Sequence, residues 1–199
     1  MTDAMVFAEL AHGLVRQDWM VWQGFLPPTR ISALAREAEA LRTADSFRAA
    51  GIGRGAERHA SIRGDEILWV GGDSTPQATS LLRGELEALR LAINAATYLG
   101  LEDFEGHYAA YPAGATYAPH VDGFSDNNLR MVSFVLYLNE AWGVTDGGAL
   151  RLYPDGQPPV TVEPKGGTLV CFLSERVRHE VLPAVRTRLS LSGWFRRRA

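Results

Sequence analysis

Gly147-Gly148-Ala149-Leu150-Arg151-Leu152-Tyr153-Pro154-Asp155-Gly156 decides the architecture, because it sets a short extended run between two glycine-containing turns. Gly, Pro and Asp punctuate the chain by supplying the backbone angles that turns require, while the residues between them fit a pleated, half-buried surface. The same rhythm continues outward. Downstream lie Val160 to Val162, the turn Lys165-Gly166-Gly167, Thr168 to Leu173, and Leu189 to Phe195; upstream lie Met131 to Leu138 and Gly106 to Tyr111, which ends at Pro112-Ala113-Gly114. Many short strands with tight turns predict a jelly-roll-like double sheet.

The first half has another period. Ile31, Leu34, Ala35, Ala38 and Leu41 recur at three- and four-residue steps after Pro27-Pro28, predicting an amphipathic helix. A second helix is expected to start at Ser74-Thr75-Pro76, carry Leu82, Leu86, Leu89 and Ile93 on one face, and stop at Gly100. Two such helices need a sheet to cover. The expected arrangement is one domain, mainly β with supporting helices: residues 1–104 as mainly helical support with short strands, and residues 105–199 as the β core. Arg48 to His59, rich in glycine and arginine and lacking an apolar period, predicts a mobile loop near residues 48–65 that serves as a surface connection or an active-site lid.

At 199 residues, with 46% hydrophobic and 22% charged residues, the chain suffices for one buried core and is short for two. A net charge of -3 provides no basic field for phosphates, so nucleic acid is not expected as a partner. The lone Cys171 rules out an intramolecular disulfide and multi-thiolate zinc sites, which fits a reducing compartment. Met1 to Arg16 lacks the apolar core of a secretory signal, and no stretch reaches the length of a membrane span. A cytoplasmic location follows as the expectation.

His120-Val121-Asp122 puts an imidazole and a carboxylate two residues apart, on the same face of extended chain. His179, in a second extended-looking segment, is the candidate third ligand. Two histidines and one carboxylate on one face of an octahedron leave three positions open, as in non-haem Fe(II) oxygenases. His-x-Asp alone recurs by chance, and zinc with a hydrolytic water is the competing reading. Arg188 bears on that choice. In the run Arg188-Leu189-Ser190-Leu191-Ser192-Gly193-Trp194, residues Arg188, Ser190 and Ser192 share one strand face. An inward arginine beside hydroxyls calls for an anion, and its planar fork suits a carboxylate; the other reading of Arg188 is a surface or rim residue of an edge strand.

With these residues in place, the chain resembles the prolyl hydroxylases of the oxygen-sensing type and their bacterial relatives. The matching stretches, in order, are Ile62-Arg63-Gly64-Asp65-Glu66-Ile67-Leu68-Trp69, Tyr111-Pro112 through Tyr117 to His120-Val121-Asp122, Tyr137-Leu138-Asn139, Gly147-Gly148-Ala149-Leu150-Arg151, Glu163-Pro164-Lys165, His179-Glu180-Val181, and Arg188 through Trp194. The resemblance implies a double-stranded β-helix. It implies Fe(II) on His120, Asp122 and His179, and 2-oxoglutarate held at its far carboxylate by Arg188 and Tyr137, with Ser190 beside them. Tyr111 and Tyr117 would line the pocket, and Leu150 and Trp194 would wall it. Asp65 and Arg130 would form an ion pair linking the loop to the substrate side, where Trp142 is also expected.

The implied reaction consumes O2 and 2-oxoglutarate, with ascorbate in a supporting role, and yields succinate and CO2. The expected partner is a protein bearing a target proline, with translation elongation factor Tu as first candidate and a monomeric enzyme as the default. The alternatives are hydroxylation of free proline or another metabolite, and a non-catalytic metal-binding sensor module. A shorter Tyr111-to-His120 loop and a different glycine- and arginine-rich segment set the chain apart from the animal members.

Overall fold

Why strands dominate the second half is visible in how their side chains divide. Along the strand Leu101–Tyr111 (β4), Tyr108 and Ala110 join one apolar cluster while Ala109 and Tyr111 join another. Arg130–Tyr137 (β6) repeats the division, sending Val132, Phe134 and Leu136 to the first cluster and Val135 and Tyr137 to the second. Successive side chains of a strand point to opposite faces, so a sheet with two buried faces must be apolar on both. The first cluster lies beneath the helices. The second fills the space between two sheets.

The computed structural model describes residues 3–51, 62–71, 77–123 and 129–198. Among these, one sheet runs in the order β1 (Trp19–Trp22), β9 (Leu169–Leu173), β6, β11 (Arg188–Arg197), β4, β3 (Glu66–Val70) and β2 (Arg48–Ala49). The facing sheet runs β5 (Tyr117–His120), β10 (Arg178–Val181), β7 (Leu150–Tyr153) and β8 (Val160–Val162). All ladders are antiparallel. This is a double-stranded β-helix backed by helices, as expected.

Three helices cover the larger sheet: α1 (Asp3–Gln17), α2 (Pro28–Thr43) and α3 (Gln77–Thr97). Ile31, Leu34 and Ala38 of α2 and Leu82, Leu86, Leu89 and Ile93 of α3 are buried, so the apolar periods mark the faces that pack on the sheet. Proline at the start of α2 fits the first turn, where the missing N–H costs nothing. The Glu37 carboxylate of α2 accepts hydrogen bonds from the amides of Ala78 and Thr79 at the start of α3 and from the Tyr108 hydroxyl, tying both helices to β4. Among the described residues, no helix is long and apolar enough to cross a membrane.

The first half contributes more strand than its composition announces. β1 and β3 join the large sheet, and β4 begins at Leu101, five residues before the start expected at Gly106. In the loop region near 48–65, Arg48 and Ala49 pair with β3, while Ile62 to Asp65 lie along β5: the Gly64 amide donates to Thr116 O and the Ala118 amide to Ile62 O. Residues 52–61, the centre of the expected lid, and the expected cap Ser74-Thr75-Pro76 lie outside the described residues.

Candidate active site

Two adjacent strands of the smaller sheet bring the metal-type ligands together. His120 and His179 are direct register partners across β5 and β10, with ring centroids 4.2 Å apart. Each imidazole turns its Nδ1 toward the carbonyl two residues earlier, Ala118 O at 2.8 Å and Val177 O at 3.1 Å. That contact fixes the ring and leaves Nε2 facing inward. Asp122 Oδ1 lies 3.5 Å from His120 Nε2 and 3.8 Å from His179 Nε2, and ligand atoms of all three residues lie within 4.8 Å of one another.

The second carboxylate oxygen is already engaged. Asp122 Oδ2 accepts hydrogen bonds from Ser133 Oγ at 2.5 Å and Trp194 Nε1 at 3.0 Å, and Ser133 is itself bonded to Ser174. One oxygen is therefore held by β6 and β11 while the other is turned to the histidines. Burial alone would push the Asp122 carboxyl up, but the charge of His179, the hydrogen bond to His120 and that to Ser133 hold it well below the usual carboxylate range. His179 is pushed down to about 4 by burial, against the pull of Asp122. A carboxylate beside a neutral His179 imidazole is the protonation state that a divalent cation requires of these two ligands.

Tyr117 stacks on His120 with centroids 3.5 Å apart and planes 18° from parallel, and the Arg63 guanidinium sits 4.8 Å from the outer face of Tyr117. Tyr117 thus walls the ligand imidazole as well as the pocket. Leu150 and Val181, register partners on β7 and β10, close the same cavity from the smaller sheet.

Deeper in the barrel, Arg188 is 2% exposed. Its Nε donates to Gly148 O at 2.9 Å, and its guanidinium lies against Tyr111 (5.0 Å) and Tyr137 (4.9 Å). None of these partners carries a charge, and among the described residues no carboxylate pairs with Arg188. A buried cation without a counter-ion is costly. The Tyr137 hydroxyl beside it is buried with no partner other than Arg188 among the described residues, and burial holds this phenol protonated against the pull of Arg188. These are the groups a ligand carboxylate would satisfy: a charged fork and a free hydroxyl donor below the metal-type triad. Gly148 makes the approach possible, because a Cβ there would stand 3.2 Å from the Arg188 side chain and 3.0 Å from Ala184, and its φ is +70°.

Other expected positions move. Ser190 is buried with Oγ on Ser192, and of these two serines it is Ser192 that lines the cavity. Trp142 is not on the substrate side: it is buried, donates Nε1 to Gly147 O and packs on Gly148, so it supports the turn under Arg188. The expected Asp65–Arg130 pair does not form. Asp65 is held in a bidentate pair by Arg63 at 2.7 and 3.0 Å, two residues away on its own strand-like segment, while Arg130 pairs with Glu105 at 2.7 Å and lies 3.7 Å over the Trp194 ring. Trp194 is more than an apolar wall, since its N–H orients Asp122.

Sequence reasoning missed Ser133, Arg63 and His107, all of which line the cavity. For His107 a signal existed: it stands at an even step from Ala109 and Tyr111 on β4, hence on the inner face.

A double-stranded β-helix with two histidines and a carboxylate at its mouth, and a buried arginine below, defines the non-haem iron oxygenase class. The family model for the 2OG-Fe(II) oxygenase superfamily matches residues 106–196. A prolyl-4-hydroxylase structure from Pseudomonas putida superposes with a TM-score of 0.90 at 44% identity, covering 97% of this chain and 100% of that one. A prolyl hydroxylase from Trichoplax adhaerens, solved in complex with a hypoxia inducible factor peptide fragment, gives 0.90 at 26%, covering 97% and 90%. Prolyl hydroxylase EGLN3 of Homo sapiens is 33% identical over 147 residues, 70% of this chain and 60% of that protein; the matched region thus spans less than two thirds of that curated relative. The chain belongs to the 2OG-Fe(II) oxygenase superfamily, a family that uses Fe(II), 2-oxoglutarate and O2, and the relatives it matches here are prolyl hydroxylases.

Proposed function

We propose that this chain hydroxylates a prolyl residue of a protein, with 2-oxoglutarate converted to succinate and CO2. The observation that carries the reading is Arg188, buried without a charged partner among the described residues, next to the Tyr137 hydroxyl and below His120, Asp122 and His179. A hydrolytic zinc site or a metal sensor has no need of a buried dicarboxylate clamp. His120, Asp122 and His179 would hold the iron, which with 2-oxoglutarate supplies the oxidising power for an unactivated C–H bond.

The chain's own part is orientation and shelter. Arg188 and Tyr137 would hold the far carboxylate of the co-substrate and so restrict its orientation in the cavity. Ser133 and Trp194 keep Asp122 on one oxygen. Tyr111, Leu150 and Val181 exclude water around the reacting atoms. A protein substrate is supported by the likeness to the hydroxylase solved with a peptide, and translation elongation factor Tu is the first candidate by resemblance to bacterial members.

Anaerobic loading with Fe(II) and 2-oxoglutarate, then air, should add one oxygen atom to a proline of elongation factor Tu, with succinate in equal amount, read by mass spectrometry. Succinate without any oxidised protein would move the substrate to a metabolite. Arg188→Ala should raise the 2-oxoglutarate concentration needed for half-maximal rate at least about tenfold, the scale of one charge-assisted hydrogen bond; an unchanged requirement would remove Arg188 from its role.

A further inference from the structure

A row of side chains leads out of this cavity along the inner face of the large sheet. Trp69 on β3 is the register partner of His107 on β4, which is the partner of Ser192 on β11. The Trp69 and His107 ring centroids lie 5.0 Å apart, and Trp194 stands 5.5 Å from His107 and 6.1 Å from Trp69. Trp194 and His107 line the metal cavity, and Trp69 is 51% exposed. The row therefore joins the reacting centre to solvent.

Two features of this row lack a structural explanation. His107 is 3% exposed, and its Nδ1 is buried with no hydrogen-bond partner among the described residues. An apolar residue would fill that place beside the two indoles, which also lie against each other, without stranding a polar atom. Trp69 offers a broad apolar face to water while its ring is already held by its neighbours, so binding against it would cost little ordering. The charges acting on His107 come in opposite pairs, Arg63 and Arg130 against Asp65 and Asp122, with Arg63 matched by Asp65 and Arg130 by Glu105.

We propose that Trp69 and His107 form a specificity ledge that receives the residue beside the target proline, taking an uncharged apolar or aromatic side chain against the Trp69 ring and a polar group of the same segment on His107. The proposal rests on the prolyl reading above and adds the chemistry of the flanking residue. The balanced charges disfavour an acidic or basic neighbour. A segment entering along the row passes from the exposed indole to the buried imidazole before its proline reaches Trp194 and the metal ligands.

The test uses capped peptides with one proline, flanked on either side by Ala, Leu, Trp or Asp, incubated with the Fe(II) and 2-oxoglutarate-loaded full chain. Oxygen incorporation gives kcat and KM separately. The wild type should favour Leu- or Trp-flanked over Ala- and Asp-flanked peptides about tenfold or more, through KM. Trp69→Ala should bring that ratio close to one, and Trp69→Phe should keep most of it. His107→Leu, which preserves volume and removes the polar atom, should raise peptide KM without shifting the 2-oxoglutarate requirement. A preference that survives Trp69→Ala overturns the ledge and leaves the prolyl reading standing. If no peptide gains oxygen while 2-oxoglutarate is consumed, the polypeptide reading falls and takes the ledge with it.

Discussion

Asp122 shows how much of a metal centre resides in residues that never touch the metal. One of its oxygens is tied by Ser133 Oγ and Trp194 Nε1, so the carboxylate can offer only the other to the histidines. Removing partners of this kind characteristically weakens metal binding about 10- to 100-fold. Ser133→Ala and Trp194→Phe should each do so here, measured by titrating the metal-free protein with Mn(II) in a calorimeter, and the double variant should lose less than the sum because both act on one oxygen. If both variants bind as tightly as wild type, the backbone alone positions Asp122. His120, Asp122 and Arg188 could be read from spacing because a strand repeats every two residues. Ser133 could not, because a serine within Met131 to Leu138 reads as an ordinary strand residue until β11 and the metal ligands are placed against it.

Elements explain why the rest was only partly legible. The strands of the second half announce themselves through turns, and their alternation reports both buried faces. β3 and β1 carry no comparable signal, since each is stabilised by pairing with a strand far along the chain: β3 with β4 and β1 with β9. The pairing of Arg130 with Glu105 was likewise settled by which strands lie alongside, which spacing does not encode. The centre of the large sheet gives a prediction at this scale. Gly193 on β11 pairs with Gly106 on β4, and a Cβ at Gly193 would come within 2.6 Å of Phe134 Cζ and closer still to the Glu105 carbonyl. The obstruction includes backbone, so it cannot be relieved by a rotamer change. Gly193→Ala should cost about 3 kcal/mol or more, at the upper end for overpacked cores, and shift the melting temperature of this chain down by about 6 °C or more. Gly84→Ala on α3, where a Cβ meets nothing, should leave it unchanged or slightly raised. Equal melting temperatures for the two variants would mean that β4 and β11 separate easily, contrary to the packing of the barrel.

Across the whole molecule, burial of imidazole sets how stability responds to acid. His107 and His179 are both held down to about 4, in each case chiefly by burial, whereas an exposed histidine takes up its proton near 6.5. Between these values the unfolded chain binds more protons than the folded one. Stability of the metal-free protein should therefore be level above about pH 6.5 and fall as the pH drops toward 4. For one group the full window of 2.5 units corresponds to about 3 kcal/mol, at about 1.36 kcal/mol per unit, as an upper bound. Asp122 acts in a separate window. Its carboxyl is depressed below the usual 3.8, so the stability it contributes is lost only below about pH 4. Melting curves of metal-free wild type and His107→Phe between pH 7.5 and 5 divide the effect: the wild type should lose stability over this range, and the variant should lose about half as much, with His179 supplying the remainder. Parallel slopes would mean that His107 takes up its proton as readily in the folded protein as in the unfolded chain.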